Sequence, residues 1–559
     1  MKYDRWKIGS WDENGSGDKS ELLRALIALR GLGSLEDIGA PSGPDPELID
    51  MQKAVDRITA AIESSERTAV YGDYDVDGIT SACMLTDYLR SHALPVELYI
   101  PDRFEEGYGL NTAAVNQLRE RGATLIITVD CGITAKNEVE FAKKLGVDMV
   151  ITDHHECKGE LPDAVAVIDP KRPGDNGAPL AGVGVAYKLI SALEGNWEPV
   201  LERFSEFIAL GTVADVMPLI GENRFLVKRG LEKMNSSPSP GIEALIRESG
   251  VSRPLTSSSI AYALAPRINA AGRLSRADIA VQLLLSKEPD AASRLAVELC
   301  GLNRERQELE AEIWTQALGF IGGAVPDAPI LLASENWHQG VMGIVASRLA
   351  EMFSVPTVMI SLDGGIGRGS CRSCGAFNIY DAINACSAYL DNYGGHAQAA
   401  GFSIRRDKIG DFYEALKSYY RDNPDTAGTE LSVDLPVSSP DWLSLESVEA
   451  LDALEPCGNG NPKPVLCLLG ADIIEMSDIG GGKHLRLSLS KFGETYDCVF
   501  FGVNKAGTGL RAGDTVDAAF TPQINEFRAR RSVQLVIQDL RKALKMSAAT
   551  IKAYNTKKE

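Results

Sequence analysis

GDYDVDG, residues Gly72–Gly78, sets three carboxylates, Asp73, Asp75 and Asp77, at alternating positions. An apolar run (Thr68, Ala69, Val70, Tyr71) precedes it and a helical pattern (Ile79–His92) follows. That context predicts a strand end, a glycine-bounded loop and a helix start. In an open α/β sheet, ligands bind beyond the carboxyl ends of the strands. Carboxylates clustered there repel one another by several kcal/mol unless a cation shares them.

Outward from this loop the pattern alternates. Val96–Ile100, Thr124–Val129, Met149–Ile151 and Ala166–Ile168 read as strands. Asn111–Arg121 and Ala135–Leu145 between them read as helices, and Pro46–Ser64 as an amphipathic helix leading in. Strands alternating with helices of this length predict α/β architecture with a doubly wound parallel sheet. Beyond Asp169 the chain turns helical: Val183–Leu193, Phe204–Met217, Arg224–Met234 and Ile242–Glu248. Ala291–Phe320 is longer, with Leu295, Leu302, Leu309 and Ile313 at near-heptad spacing, and predicts a helix bridging two domains. A second, smaller α/β unit follows: strands Ile330–Ala333 and Thr357–Ser361, helices Val341–Met352, Ile379–Leu390 and Phe412–Tyr420, and a glycine-rich loop Gly364–Gly375. From about Pro464 five short strands and their turns predict a small barrel of the oligonucleotide-binding kind.

The totals agree with several domains. A chain of 559 residues is expected to hold three or four units. The formal net charge of -20 disfavours a nonspecific nucleic-acid coat, although a locally basic groove is compatible with it. No apolar stretch of about 18 residues predicts a membrane span, and residues 1–20 lack an apolar signal-peptide core. Ten cysteines without scaffold spacing predict a reducing, cytoplasmic setting. Cys371 and Cys374 form a lone CxxC with no second pair, so packing is expected rather than zinc.

Four acidic or imidazole sites fall at expected strand ends or loops of the first domain. They are the Asp73/Asp75/Asp77 loop, Asp130, Asp153-His154-His155, and Asp215 in GTVADVMPL. A lone Asp after a strand is usually a turn or a helix cap. Four such sites at one edge of one sheet make a converging cluster the stronger reading. Oxygen ligands with one or two imidazoles suit Mn²⁺, or Mg²⁺ with less nitrogen. Asp130 can bridge two ions, and a two-ion site can activate water and steady a phosphoryl displacement.

The ordered set GDYDVDG, VDCG (Val129–Gly132), DHH (Asp153–His155) and TVADVMPL (Thr212–Leu219) resembles the four motifs of the DHH phosphoesterase family. APRINAAGR (Ala265–Arg273), LNRERQ (Leu302–Gln307), WHQGVMGIVASRL (Trp337–Leu349), GSCRS (Gly369–Ser373) and GGHAQAAGF (Gly394–Phe402) narrow the resemblance to its RecJ group, single-strand-specific 5′→3′ exonucleases. The resemblance covers nearly the whole chain. It implies two ions, Mn²⁺ or Mg²⁺, one on Asp77, Asp130, His154 and Asp215 and the other on Asp75 and Asp130, with Asp73 beside it in the catalytic set. Smaller DHH relatives carry a metal-binding histidine where this chain has Tyr71. His155 is implied at the scissile phosphate, as a contact or an acid; the plainer alternative is that it orients His154.

Arg267 and Arg273, around Asn269, have guanidinium forks suited to phosphate oxygens and developing charge, the alternative being surface ion pairs. The second unit resembles the DHHA1 domain, which implies that Ser370, Arg372 and Ser373 grip a 5′-terminal phosphate. Gly394, Gly395 and His396 there let backbone approach a nucleotide. In the barrel, Lys483, His484, Arg486, Arg528, Arg530 and Arg531 supply positive charge. Phe500, Phe501 and Phe527 are candidate stacking platforms or core, and alternation favours core for at least one of Phe500 and Phe501.

The expected domains are an N-terminal helical lead-in (1–66), the DHH catalytic domain (67–285), a connecting helix (286–322), a DHHA1 domain (323–425), an OB-like nucleic-acid-binding domain (426–545) and a basic tail (546–559). The expected function is metal-dependent 5′→3′ degradation of single-stranded DNA to 5′ mononucleotides in repair and recombination. A monomer is expected, with a helicase and a single-strand-binding protein as functional partners. The rival readings are a DHH phosphodiesterase acting on short oligonucleotides or cyclic dinucleotides, and an inactive single-strand-binding scaffold.

Overall fold

The computed structural model describes residues 3–10, 21–33, 48–107, 109–157, 159–175, 177, 179–274, 277–322, 326, 328–424, 429–527 and 530–543. The expected basic tail, residues 546–559, lies outside them. The chain forms two compact units. One comprises Met1–Ala40, Ala427–Glu455 and Pro462–Glu559, the other Pro41–Thr426 and Pro456–Asn461. The first strand of the chain, β1 (Arg5–Ile8), belongs to the former unit.

The larger unit opens with a five-stranded parallel sheet of β2 (Thr68–Gly72), β3 (Val96–Tyr99), β4 (Leu125–Val129), β5 (Asp148–Thr152) and β6 (Ala166–Ile168). Its order is β3-β2-β4-β5-β6. The order reverses between β2 and β4, and the crevice at such a switch point is where doubly wound sheets bind ligands. β2 and β4 are fully buried because helices cover both faces. Alternate residues feed opposite cores: Val70 and Ile127 one layer, Ala69 and Ile126 the other.

The following helices, among them Gly182–Glu194, Trp197–Ala214, Gly221–Ser236 and Pro240–Ser249, pack into the Val70 core. The bridging helix runs Pro289–Ile321, 33 residues or about 50 Å at 1.5 Å per residue. Ala292, Ala296 and Leu299 in its first half join that core, and Ile313 and Ala317 in its second half join the core beneath the second sheet. It therefore links both sheets of this unit through one rigid element.

The second sheet has the order β10-β11-β9-β8-β7. Its strands are β7 (Ile330–Ser334), β8 (Thr357–Asp363), β9 (Ile366–Arg372), β10 (Leu390–His396) and β11 (Ala399–Arg405). Only β7 and β8 run parallel. Two expectations need correction here. The glycine-rich stretch Gly364–Gly375 is mostly strand: Gly367, Gly369 and Cys371 alternate inward between β8 and β11. The helix expected over Ile379–Leu390 ends at Ala385, and Gly394–His396 lie on β10. In β9 glycine alternates with larger residues, and the flat pairing that glycine permits outweighed its weak strand preference.

In the smaller unit β1 pairs in parallel with β12 (Glu430–Val433). The N-terminal 66 residues are thus not a uniform helical lead-in. The expectation missed β1 because RWKI is too short to show a period. After β13 (Leu435–Pro436), β14 (Leu466–Ile479), β15 (His484–Lys491), β16 (Glu494–Phe500), β17 (Thr515–Phe527) and β18 (Arg530–Lys542) close a five-stranded barrel, in the order β14-β15-β16-β18-β17 with β17 returning to β14. Irregularities between Leu468 and Ala471 and between Ile473 and Glu475 let β14 bend to serve both neighbours. Among the described residues no helix is long and apolar enough to cross a membrane, and the ten cysteines form no disulfide.

Candidate active site

The site forms at the switch point of the parallel sheet. β2 ends at Gly72, and the helix Val76–Ser91 begins only four residues later. Asp75 caps that helix, its carboxylate accepting Gly78 N–H at 3.0 Å. Asp77 lies inside the first turn, where a carboxylate is favoured by the helix dipole. Both of its oxygens also accept the first amides of the helix Gly182–Glu194, from Gly182 at 2.6 Å and Val183 at 2.9 Å. Two helix N-termini therefore fix one carboxylate. Gly182 is obligatory, because a Cβ there would sit 2.6 Å from Asp130 Cβ.

Around Asp77 the expected residues converge. His154 Nε2 lies 3.0 Å from Asp130 Oδ1 and 3.7 Å from both Asp77 Oδ2 and Asp215 Oδ2. Donor atoms of Asp77, His154 and Asp215 fall within 4.8 Å of one another; so do those of Asp73, Asp75 and Asp130, and those of Asp130, His154 and His155. Asp130 follows β4 with φ of 59° and joins two of these groups. Asp153 does a different job. It accepts the His154 and His155 amides and His155 Nδ1 (2.7 Å) on one oxygen and Ile133 N–H on the other, so it braces the two imidazoles. Tyr71 turns into the opposite core layer, where its hydroxyl donates to Gly109 C=O at 2.9 Å and its ring stacks on Tyr99. It adds no ligand to this site.

The electrostatics describe a place built for cations. Burial, then Asp75, pushes Asp73 up to about 8, and burial, then Asp75, pushes Asp215 up to about 7. Burial, then neighbouring carboxylates, raises Asp77 and Asp130 well above the usual range. One oxygen each of Asp73 and Asp130 is buried without a hydrogen-bond partner. Orphaned, clustered carboxylate oxygens with an imidazole nitrogen are the donor set that Mn²⁺ or Mg²⁺ takes, so the residues fit two divalent ions. Burial, then His155, lowers His154 to about 3, keeping it neutral as a ligand must be. For His155, burial acts downward but is outweighed by the hydrogen bond and charge of Asp153, and its pKa rises to about 9.

A basic wall faces this cluster. Arg273 donates to Gly340 C=O at 3.0 Å, and burial with Arg103, Arg372 and Arg306 lowers its pKa to about 10. Arg372 is held by Ser347 Oγ (3.0 Å), Ser370 Oγ (3.2 Å) and Cys371 C=O (2.7 Å). Gly343 makes room for this arrangement: a Cβ there would lie 2.9 Å from both Arg372 Nη2 and Ser370 Oγ. Arg103, Phe104, Met342, Arg368, Ser370 and Gly394 are among the residues lining a cavity of about 640 Å³.

Other expected residues are used differently. Arg267 donates to the carbonyls of Ala263 (2.6 Å) and Ser249 (3.1 Å), fastening two helices rather than facing the cavity. Asn269 is partly buried on the helix Ala265–Leu274. The Ser373 hydroxyl bonds to Phe377 C=O and closes a turn. Gly395 (φ 147°) would clash with the Ala399 carbonyl if it carried a Cβ, so it serves the β10–β11 hairpin, and His396 is exposed at the end of β10. Arg103, Gly182, Gly340 and Gly343 were not singled out as site residues. Arg103 sits outside the ordered motifs, and the glycines announce themselves only through what approaches them.

In the barrel unit, Phe500 is buried and Phe501 is 56 % exposed, edge-on to His484. Arg486 pairs with Asp497 (2.9 Å) and Arg531 with Glu449 (2.6 Å), while Lys483 and Arg530 are exposed. Arg528 and the side chain of Phe527 lie outside the described residues.

Three family models match the chain: the DHH family N-terminal domain over residues 67–212, the DHHA1 domain over 327–422 and the RecJ OB domain over 433–539. The chain is similar to the single-stranded-DNA-specific exonuclease RecJ of Bacillus subtilis (strain 168), with 37 % identity over 561 residues covering 96 % of this chain and 70 % of that one. With the protein of the same description from Escherichia coli (strain K12) the identity is 34 % over 556 residues, covering 93 % and 95 %. Among solved structures it is similar to RecJ of Thermus thermophilus in complex with Mn²⁺, with a TM-score of 0.84 and 30 % identity, covering 97 % of this chain and 80 % of that one. The complex with Mg²⁺ gives a TM-score of 0.78 at 29 % identity, covering 97 % and 79 %.

Proposed function

The chain belongs to the RecJ family of DHH phosphoesterases, and from that premise we propose that its all-carboxylate group and its carboxylate–imidazole group, joined at Asp130, are the hydrolytic centre of an exonuclease that consumes single strands from the 5′ end. It is an exonuclease specific for single-stranded DNA, using Mn²⁺ or Mg²⁺. The observation that carries the reading is the sharing of Asp130 between the Asp73/Asp75 and His154/His155 groups.

Asp77, Asp130, His154 and Asp215 hold one ion; Asp73, Asp75 and Asp130 hold the other. When bound, the ions supply water activation and neutralise charge on the phosphodiester. The protein residues do the rest. Asp77, pinned by two backbone amides, fixes the cluster's depth. Asp153 keeps His155 protonated and oriented, so that a positive imidazolium stands beside the reacting phosphate. Ser370, which lines the cavity that also presents Gly394, holds the terminal 5′ phosphate together with Arg372, which is bonded to it, and Arg273. With the terminal phosphate held in this way, cleavage of the first phosphodiester releases a 5′ mononucleotide. Residues 67–285 and 323–425 carry out this chemistry, the helix 286–322 joins them, and the barrel of 426–545 takes up single strand through exposed Phe501 and its basic neighbours.

A nuclease that needs a single strand depends on unwinding, so a helicase and a single-strand-binding protein are its functional partners, in the cytoplasm. The test is purified protein with Mn²⁺ on 5′- and 3′-labelled single-stranded DNA, duplex DNA and dinucleotides. Early release of 5′ label as mononucleotide from long single strands is expected. Release of the 3′ label first, or cleavage of dinucleotides alone, would overturn the polarity or the substrate class.

A further inference from the structure

The metal ligand Asp215 sits where its own helix gives it little help. It ends the 18-residue helix Trp197–Ala214, and a carboxylate at a helix C-terminus is repelled by the dipole. The next residue, Val216, is β-branched with φ of 56° and is 66 % exposed. Such a residue is strained in the left-handed region and holds that conformation only when its surroundings impose it. The helix closes this turn with its own bonds, Val216 N–H to Val213 C=O and Met217 N–H to Thr212 C=O, each at 3.2 Å, and a β-branched residue in that position gains from support outside the helix.

That support comes from the segment Pro456–Asn461, which packs with the catalytic unit although Glu455 and Pro462 on either side belong to the barrel unit. Asn459 grips the turn twice. Its side-chain amide donates to Val216 C=O at 2.9 Å, and its own carbonyl accepts Leu219 N–H at 2.7 Å. The segment is itself built in. Buried Arg224 donates to Pro456 C=O at 3.2 Å, Asn461 Nδ2 donates to the same carbonyl at 2.9 Å, and Ser257 Oγ donates to Cys457 C=O. Glycines flank Asn459: a Cβ on Gly458 would lie 2.8 Å from Leu219 Cδ1, and Gly460 has φ of 72° beside Pro218. Asn223 completes the clamp from the other side, donating to the carbonyls of Pro218 (3.1 Å) and Pro179 (2.7 Å).

We propose that Asn459 is a positioning residue for the metal centre: by holding Val216 C=O and Leu219 N–H it steadies the turn that presents the Asp215 carboxylate. This rests on Asp215 being a ligand. Groups that orient a ligand typically change metal affinity on the order of tenfold or more when removed.

The experiment is Mn²⁺ binding to the full-length chain by calorimetry and by electron paramagnetic resonance, for wild type, Asn459→Ala, Asn459→Asp and Asp215→Asn, with melting temperatures in chelator. Asn459→Asp keeps the size but cannot donate to Val216 C=O. Both Asn459 variants are expected to weaken one of two Mn²⁺ equivalents on the order of tenfold, the same equivalent that Asp215→Asn loses. Their melting temperatures in chelator should stay at the wild-type value, because Asn459 is exposed. Excess Mn²⁺ should restore their exonuclease kcat. Wild-type Mn²⁺ binding in both Asn459 variants, with an equivalent lost in Asp215→Asn, would overturn the positioning role and leave the ligand reading standing. Wild-type binding in Asp215→Asn would overturn the ligand reading and this inference with it.

Discussion

His154 Nε2 and Asp130 Oδ1 stand 3.0 Å apart, and that carboxylate oxygen takes part in no hydrogen bond. A buried oxygen facing an imidazole nitrogen in this way is satisfied by a cation that both can ligate. Asp130 also closes the group with Asp73 and Asp75, so removing it strikes both ions at once. Asp130→Ala should abolish both Mn²⁺ equivalents in calorimetry and lower exonuclease turnover by at least about 10²-fold. Single-strand affinity in chelator should be equal or tighter, because a negative charge is gone. Retention of one tight equivalent would show that the ions do not share it.

The metal-free protein should lose stability as pH rises. Asp215 and Asp73 have folded pKa values near 7 and 8, above an unfolded value of about 3.9. The folded state therefore holds more protons than the unfolded state between these limits, and the slope of stability with pH is negative there. The melting temperature in chelator should fall from pH 5.5 to pH 8. Saturating Mn²⁺ should raise it more at pH 8 than at pH 5.5, and calorimetry in two buffers should detect proton release on binding. A metal-free melting temperature that climbs across this range would contradict the assignment.

The adjacent imidazoles should titrate in opposite directions. In metal-free protein His155 should keep its proton to about pH 9, while His154 stays neutral down to about pH 3. Asp153→Asn removes the charge that holds the His155 proton and should lower that pKa by about one unit or more. Ring resonances of labelled histidine follow both; a single titration near the ordinary value for both rings would refute the bracing role of Asp153.

Two glycines should separate metal binding from substrate binding. Gly182→Ala drives a Cβ into Asp130 and should weaken Mn²⁺ binding, with turnover restored only by excess metal. Gly343→Ala presses on Arg372 and Ser370 and should raise KM for 5′-phosphorylated single strands while leaving Mn²⁺ binding unchanged. Identical profiles for the two variants would argue that the site does not divide in this way.

Arg267 and Arg273 lie on one helix but should differ when removed. Arg267→Ala deletes two bonds to backbone carbonyls and should reduce stability by about 2 kcal/mol with a small change in KM. Arg273→Ala should raise KM for DNA steeply with a smaller effect on melting. Denaturant titration and steady-state kinetics of both variants check the contrast.

The parallel sheet was legible because its strands are buried on both faces and read as short apolar runs between helices. Asp77, Asp130, His154 and Asp215 were legible because each lies just past a strand, in the first turn of a helix or at a helix end at the same sheet edge, and the structure brings them within a few Å. The β9–β11 region was not legible, since glycine in Gly367, Gly369, Gly394 and Gly401 imitates a loop and the β9–β11 pairing joins segments separated by a helix and β10. The bonds of Arg267 to two backbone carbonyls were not legible, because guanidinium chemistry serves carbonyls as readily as phosphates. The grip of Asn459 on the Asp215 turn was invisible because it joins positions more than 240 residues apart, and no periodicity links such positions.

β1 also has a consequence for synthesis. Arg5 pairs with Glu430, so the strand is made early and its partner 425 residues later. At about 5–20 residues per second, β1 emerges from the ribosome roughly 20–80 s before β12 exists. Throughout that interval the nuclease sheets can form without it, while an unpaired edge trails beside them, open to pairing with the wrong strand. Arg5 and Lys7 alternate with Trp6 and Ile8 along it, and on a ribosome crowded with nascent chains those two charges keep the waiting strand soluble.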